Sequence, residues 1–175
     1  MSARAVIFLC AASLLGKLCK DRETATGSEM YDTILLAYDG TREGRVALRQ
    51  GTELGLSCGA KICLLAVIAP SSGIRLAEAI APTGLPDRER ELVGQTLEDG
   101  VNELRARGLD AQGRLAEGEP AERICAVAAE IGADLIVVGH QRKGALFRWW
   151  SGSVGAYILE HAPCSILVAI DGGAR

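Results

Sequence analysis

From residue 30 onward the chain alternates short, wholly apolar runs with longer segments of helical periodicity. That alternation constrains the fold more than any other feature. The runs at 33–38, 61–68, 134–138 and 165–170 are continuous in hydrophobicity rather than alternating. A strand with one face in water alternates; a strand covered on both faces does not. Strands separated by helices and covered on both faces are parallel, joined by right-handed crossovers. A weaker run at 109–116 supplies one more strand. The expected fold class is α/β, a five-stranded parallel doubly wound sheet with helices on both faces.

The helical segments carry their own punctuation. Residues 43–58 place Ala47, Gly51, Leu54 and Cys58 on one face, and Gly59 ends the helix. Asp39-Gly40-Thr41 before it is a turn signal and a candidate helix N-cap. Residues 87–107 form the longest periodic stretch, with Val93, Leu97, Val101 and Leu104 in register and Gly108 as its stop. Pro120 sits where the first turn of a third helix begins, and Ile124, Val127, Ala128 and Ile131 form its apolar stripe. A last helix is expected over 152–161. Residues 70–86, rich in Pro, Ser and Gly, read as a loop with room for a short helix at 74–80.

Length and charge narrow the function. One domain of about 150 residues and a short extension account for all 175 residues. The net charge of −3 argues against a nucleic-acid binder that relies on bulk charge. No apolar run reaches the roughly 20 residues of a membrane-spanning helix, so a membrane partner is not expected. Cys10, Cys19, Cys58, Cys63, Cys125 and Cys164 form no C-x-x-C pair, and with only His140 and His161 beside them no metal site is expected. Buried free thiols in a reducing cytoplasm account for them. Residues 1–29 hold an apolar stretch at 5–15 followed by a polar segment, superficially like an export signal. They lack a small-x-small cleavage site. We therefore read them as a poorly structured extension or a mis-assigned start, ahead of a domain over 30–172.

In an open parallel sheet, ligands bind beyond the carboxyl ends of the strands, where strand order reverses. Three places qualify: Ala37-Tyr38-Asp39, the end of the second strand at Val67, and the segment from Gly139 onward. The third gathers His140, Arg142, Lys143 and Arg148 with no acid, and leads to Gly152-Ser153-Val154 at a helix start. Free N–H groups, the helix dipole and a hydroxyl would suit an anion there; a solvated loop with a capped helix is the competing reading. Asp39 suits a ribose or base hydrogen bond, or serves only as a turn residue. Val67 would offer main-chain groups or simply pack. Trp149 and Trp150 read as packing residues. No P-loop, no G-x-G-x-x-G after the first strand and no nucleophile elbow is present.

At 139–153 the sequence resembles the universal stress protein family, whose nucleotide-binding members carry G-x2-G-x9-G-[ST]. Gly139, Arg142 and Gly152-Ser153 stand at that spacing. The segment YDTILLAYDG at 31–40, GADLIVVG at 132–139 and HAPCSILV at 161–168 agree with it, so the resemblance covers about 30–170. It implies a Rossmann-like domain of the adenine nucleotide alpha hydrolase-like kind. It also implies a cytoplasmic, dimeric stress-response protein that binds ATP, with Mg only as its companion, and that is not an enzyme. Nucleotide binding then falls to Ala37, Asp39, Val67, Gly139, His140, Arg142, Gly152, Ser153 and Val154. Dimer pairing falls to the last strand, through Ile166, Val168 and Ile170. An apolar edge strand independently wants a partner.

One position departs from the pattern: Arg142 stands where the second glycine is expected. Its side chain could obstruct the phosphates or could pair with them. Obstruction would leave a dimeric interaction module that binds an unknown protein partner and no nucleotide. A slow ATP hydrolase would need a water-activating base and metal ligands, and Asp39 alone does not supply these.

Overall fold

The apolar runs form strands and the periodic segments form helices: β1 (Thr33–Ala37), α1 (Arg42–Cys58), β2 (Lys61–Ile68), α2 (Leu85–Ala106), β3 (Ala111–Glu117), α3 (Pro120–Ile131), β4 (Leu135–His140), α4 (Ser153–His161) and β5 (Ser165–Ile170). The computed structural model describes residues 30–69, 85–140 and 153–170. The readings made for 1–29, for 70–84 and for 141–152, including Arg142, Gly152, Trp149 and Trp150, lie outside the described residues.

All strands are parallel, in the order β3-β2-β1-β4-β5. Successive strand residues point to opposite faces, and each face has its own core. Ile34, Leu36, Ile62, Leu64, Leu135 and Val137 pack under α1 and α2. Leu35, Cys63, Leu65, Ile136, Val138 and Ile166 pack under α3 and α4. Burial on both faces is why these strands are uninterrupted apolar runs. β3 has exposed and half-buried residues along most of its length, because it is an edge; hence its weaker sequence signal.

The face of α1 differs from expectation. Its buried residues are Gly44, Val46, Ala47, Leu48, Gly51, Thr52 and Gly55, whereas Leu54 and Cys58 are only half-buried. The reason is close approach. A side chain at Gly51 would collide with Leu36, and one at Gly55 with Ile62. The helix therefore approaches through its glycines, with Val46 and Leu48 buried beside them and Leu54 and Cys58 packed at the flank. α1 and α3 both end in left-handed glycines, Gly59 with φ 66° and Gly132 with φ 63°.

The amino end of the sheet is fastened by Asp134. Its Oδ2 accepts from the backbone N–H groups of Asp32 at 2.9 Å and Thr33 at 3.0 Å. This carboxylate ties the entry of β1 to the entry of β4. The opposite, carboxyl end of the same two strands is left to form a cleft.

Candidate functional site

From β1 the chain moves to one side, through β2 and β3, and then places β4 and β5 on the other. The reversal leaves a crevice at the carboxyl ends of β1 and β4, where no crossover covers the sheet. A cleft of about 190 Å³ opens there. Its floor is apolar: Ala37, Leu65, Val67, Ile124 and Val138. Its rim is Tyr38, Asp39, Thr41, Glu43, Gly44, Pro120 and Gly139. Strand ends supply most of the floor, and the first turns of α1 and α3 supply much of the rim.

The turn between β1 and α1 is tightly specified. Tyr38 N–H donates to the Leu65 carbonyl at 2.8 Å, which carries the β1–β2 pairing one residue beyond the strand. Gly40 then turns the chain with φ 72°. Thr41 is the N-cap of α1, with its hydroxyl accepting from Gly44 N–H at 3.1 Å. The same hydroxyl donates to Asp39 Oδ1 at 2.6 Å, and Thr41 N–H donates to that oxygen at 3.0 Å. Asp39 therefore backs the cap rather than making it, and its exposed carboxylate stands at the rim. Burial pushes the Tyr38 hydroxyl above the ordinary tyrosine value, against the pull of the Arg45 guanidinium.

Gly139 closes the cleft from the β4 side. A Cβ there would meet the Glu43 carbonyl oxygen at 2.5 Å, so β4 and the first turn of α1 touch backbone to backbone. The glycine is required by this contact whether or not a phosphate approaches it. His140 is the last residue of β4, and Ser153 and Val154 open α4.

Of the expected nucleotide-site residues, Ala37, Asp39, Val67 and Gly139 line one cleft. Sequence reasoning missed Thr41, Gly44, Leu65, Ile124 and Val138. Thr41 belongs to the turn already read as a candidate N-cap, though not as part of the site; the three apolar residues read only as core, which they also are. On the far side of the 38–41 turn lies a wider, shallower groove bordered by Arg45, Thr96, Asp99 and Glu103. It lacks an apolar floor. At the dimer-strand positions, Ile166 is buried in the core under α3 and α4 at 3% exposure, while Val168 and Ile170 are half-buried.

An apolar floor with a carboxylate on its rim suits a ligand with a flat apolar part and adjacent hydroxyls. The rim's hydroxyls belong to Tyr38 and Thr41, and Thr41 already serves Asp39. Among the described residues no cluster of His, Cys, Asp and Glu could hold a metal ion, and no helix is long and apolar enough to cross a membrane.

Comparison with known proteins shows the family to which the chain belongs. The family model described as "Universal stress protein family" matches residues 30–169. A Staphylococcus aureus (strain USA300) protein named as a universal stress protein is 30% identical over 141 residues, covering 79% of this chain and 83% of the relative. The crystal structure of a universal stress protein family member from Burkholderia pseudomallei superposes with a TM-score of 0.62 at 31% identity, covering 82% of this chain and 98% of the other. The Archaeoglobus fulgidus universal stress protein in complex with dAMP shares the fold, with a TM-score of 0.56 at 23% identity, over 79% of this chain and 97% of that one.

Proposed function

Because the chain belongs to the universal stress protein family, we propose that it is a stress-response regulator that binds an adenine nucleotide, ATP, in the cleft between β1 and β4 and acts as a homodimer. One observation carries the reading. Ala37, Asp39, Val67 and Gly139, singled out by sequence, share a cleft with an apolar floor at the switch point of the sheet. The base would lie on that floor against the main chain of Val67. Asp39 would accept from the ribose. Gly139, His140, Arg142, Gly152, Ser153 and Val154 would hold the phosphates, with Mg present only as the companion of ATP. The dAMP held by the Archaeoglobus fulgidus relative supports an adenine nucleotide as the ligand class. The reading assigns no catalytic residue, and its compartment is the cytoplasm.

The homodimer reading is supported by the contrast between the sheet's two edges. Arg105 Nε donates to the Ala111 carbonyl of β3 at 3.0 Å, and ion pairs Arg90–Glu117 and Arg114–Glu130 crowd the same edge. β5, with the sequence SILVAI, carries no charged residue. Natural edges that avoid pairing carry charge; one without charge is suited to a second copy.

Calorimetric titration of ATP into the full chain tests the site. Saturable binding that weakens at least tenfold in Asp39→Asn and in Ser153→Ala is the expected result. A second reading follows from Arg142. If the wild type binds no nucleotide and Arg142→Gly does, the chain is a dimeric interaction module for a protein partner.

A further inference from the structure

We infer that Thr41 and Gly44 are positioning residues for sugar recognition: together they fix the carboxylate of Asp39 against the N-terminus of α1. This inference rests on the proposed nucleotide site and adds how that site reads the ribose. The Thr41 hydroxyl is used twice, accepting from Gly44 N–H at 3.1 Å and donating to Asp39 Oδ1 at 2.6 Å. Thr41 N–H adds a second bond to the same oxygen at 3.0 Å. Oδ1 is therefore held by two donors from one residue, and that residue is itself anchored to a helix.

Gly44 completes the mount from behind. It is buried, and a Cβ on it would collide with Asp39 Oδ1. The carboxylate can occupy its place only because residue 44 has no side chain. Both Thr41 and Gly44 line the cleft beside Asp39. A carboxylate clamped through one oxygen presents the other in a set direction. Two sugar hydroxyls on adjacent carbons are what such an oriented acceptor selects, at no cost of ordering the side chain on binding.

The two residues can be separated from a merely structural role because their substitutions act on stability differently. Thr41→Val keeps the volume, removes the cap and leaves Asp39 Oδ1 only the backbone N–H of residue 41. Gly44→Ala keeps the cap, favours the helix and displaces Asp39. A carboxylate of Asp39 no longer held in its place is what they share.

The experiment measures the Kd of AMP, 2′-deoxy-AMP and 3′-deoxy-AMP for the full chain, wild type and variants. The wild type is expected to favour AMP over one deoxy analogue by about tenfold. That ratio is expected to fall towards one in both Thr41→Val and Gly44→Ala, and to return in Thr41→Ser. If wild type discriminates and both variants keep the full ratio, this inference is overturned while the nucleotide site stands. If wild type binds AMP without discrimination, Asp39 does not read the sugar and the inference also falls. If wild type binds none of the three, this inference falls, and the ATP titration decides separately whether the proposed function stands.

Discussion

A methyl group added at Gly139 would lie 2.5 Å from the Glu43 carbonyl oxygen and 2.7 Å from its carbon. Backbone cannot step aside as a side-chain end can. Gly139→Ala should therefore lower unfolding stability by about 1–3 kcal/mol, read as a shift in urea midpoint. Nucleotide affinity should fall with it, because the same contact closes the cleft. At the same scale, the thiols packed against the second core are poor nucleophiles. Burial pushes Cys63 and Cys125 up, and pushes Cys164 to about 12, with the nearby Asp134 carboxylate adding to it. A thiol whose folded pKa is raised stays protonated after the unfolded chain has begun to ionise. Its contribution is complete below the ordinary thiol pKa and is lost as pH rises through the folded value. Urea midpoints should fall between about pH 9 and about pH 12, and Cys164→Ala should flatten that fall.

At the scale of elements, two helix starts contrast. α1 is capped by Thr41, while α3 begins at Glu119, which makes no side-chain cap bond. Glu119→Ser should raise stability by about 0.5–1 kcal/mol in thermal or urea unfolding, since Pro120 already sets the first turn. Asp134→Ala should cost about 1.5–3 kcal/mol, because it strips a charged acceptor from the N–H groups of Asp32 and Thr33. These elements were largely legible in the chain, as continuous runs for β1, β2, β4 and β5 and as glycine stops at Gly59 and Gly108. The face of α1 was legible only in part: Ala47 and Gly51 are buried, while Leu54 and Cys58 pack at its flank. Periodicity found Ala47 and Gly51 but not Gly55, and the side chains of Leu36 and Ile62 fill the space that a Cβ on Gly51 or Gly55 would take.

At the scale of the whole molecule, the two edges of the sheet predict how the chain associates. β3 is shielded by Arg105 and flanking ion pairs; β5 carries no charge. On the proposed homodimer, Ile170→Lys at the end of β5 should yield a folded monomer in analytical ultracentrifugation, as Ile170 is half-buried rather than core. Ile166→Lys would instead unfold the domain, because Ile166 is only 3% exposed and packs under α3 and α4.

The alternation of apolar runs and amphipathic segments was enough to establish a parallel α/β domain, its strands and the end of the sheet at which a switch point lies, since these depend on local pattern and on handedness common to all such chains. Asp39, Val67 and Gly139 could be named from it because strand ends are local features. The floor of the cleft could not, as Leu65, Ile124 and Val138 look like core in any one-dimensional reading. Nor could the hold of Asp134 on β1. Those depend on distances between segments far apart in the chain, which exist only once the sheet and its helices have packed.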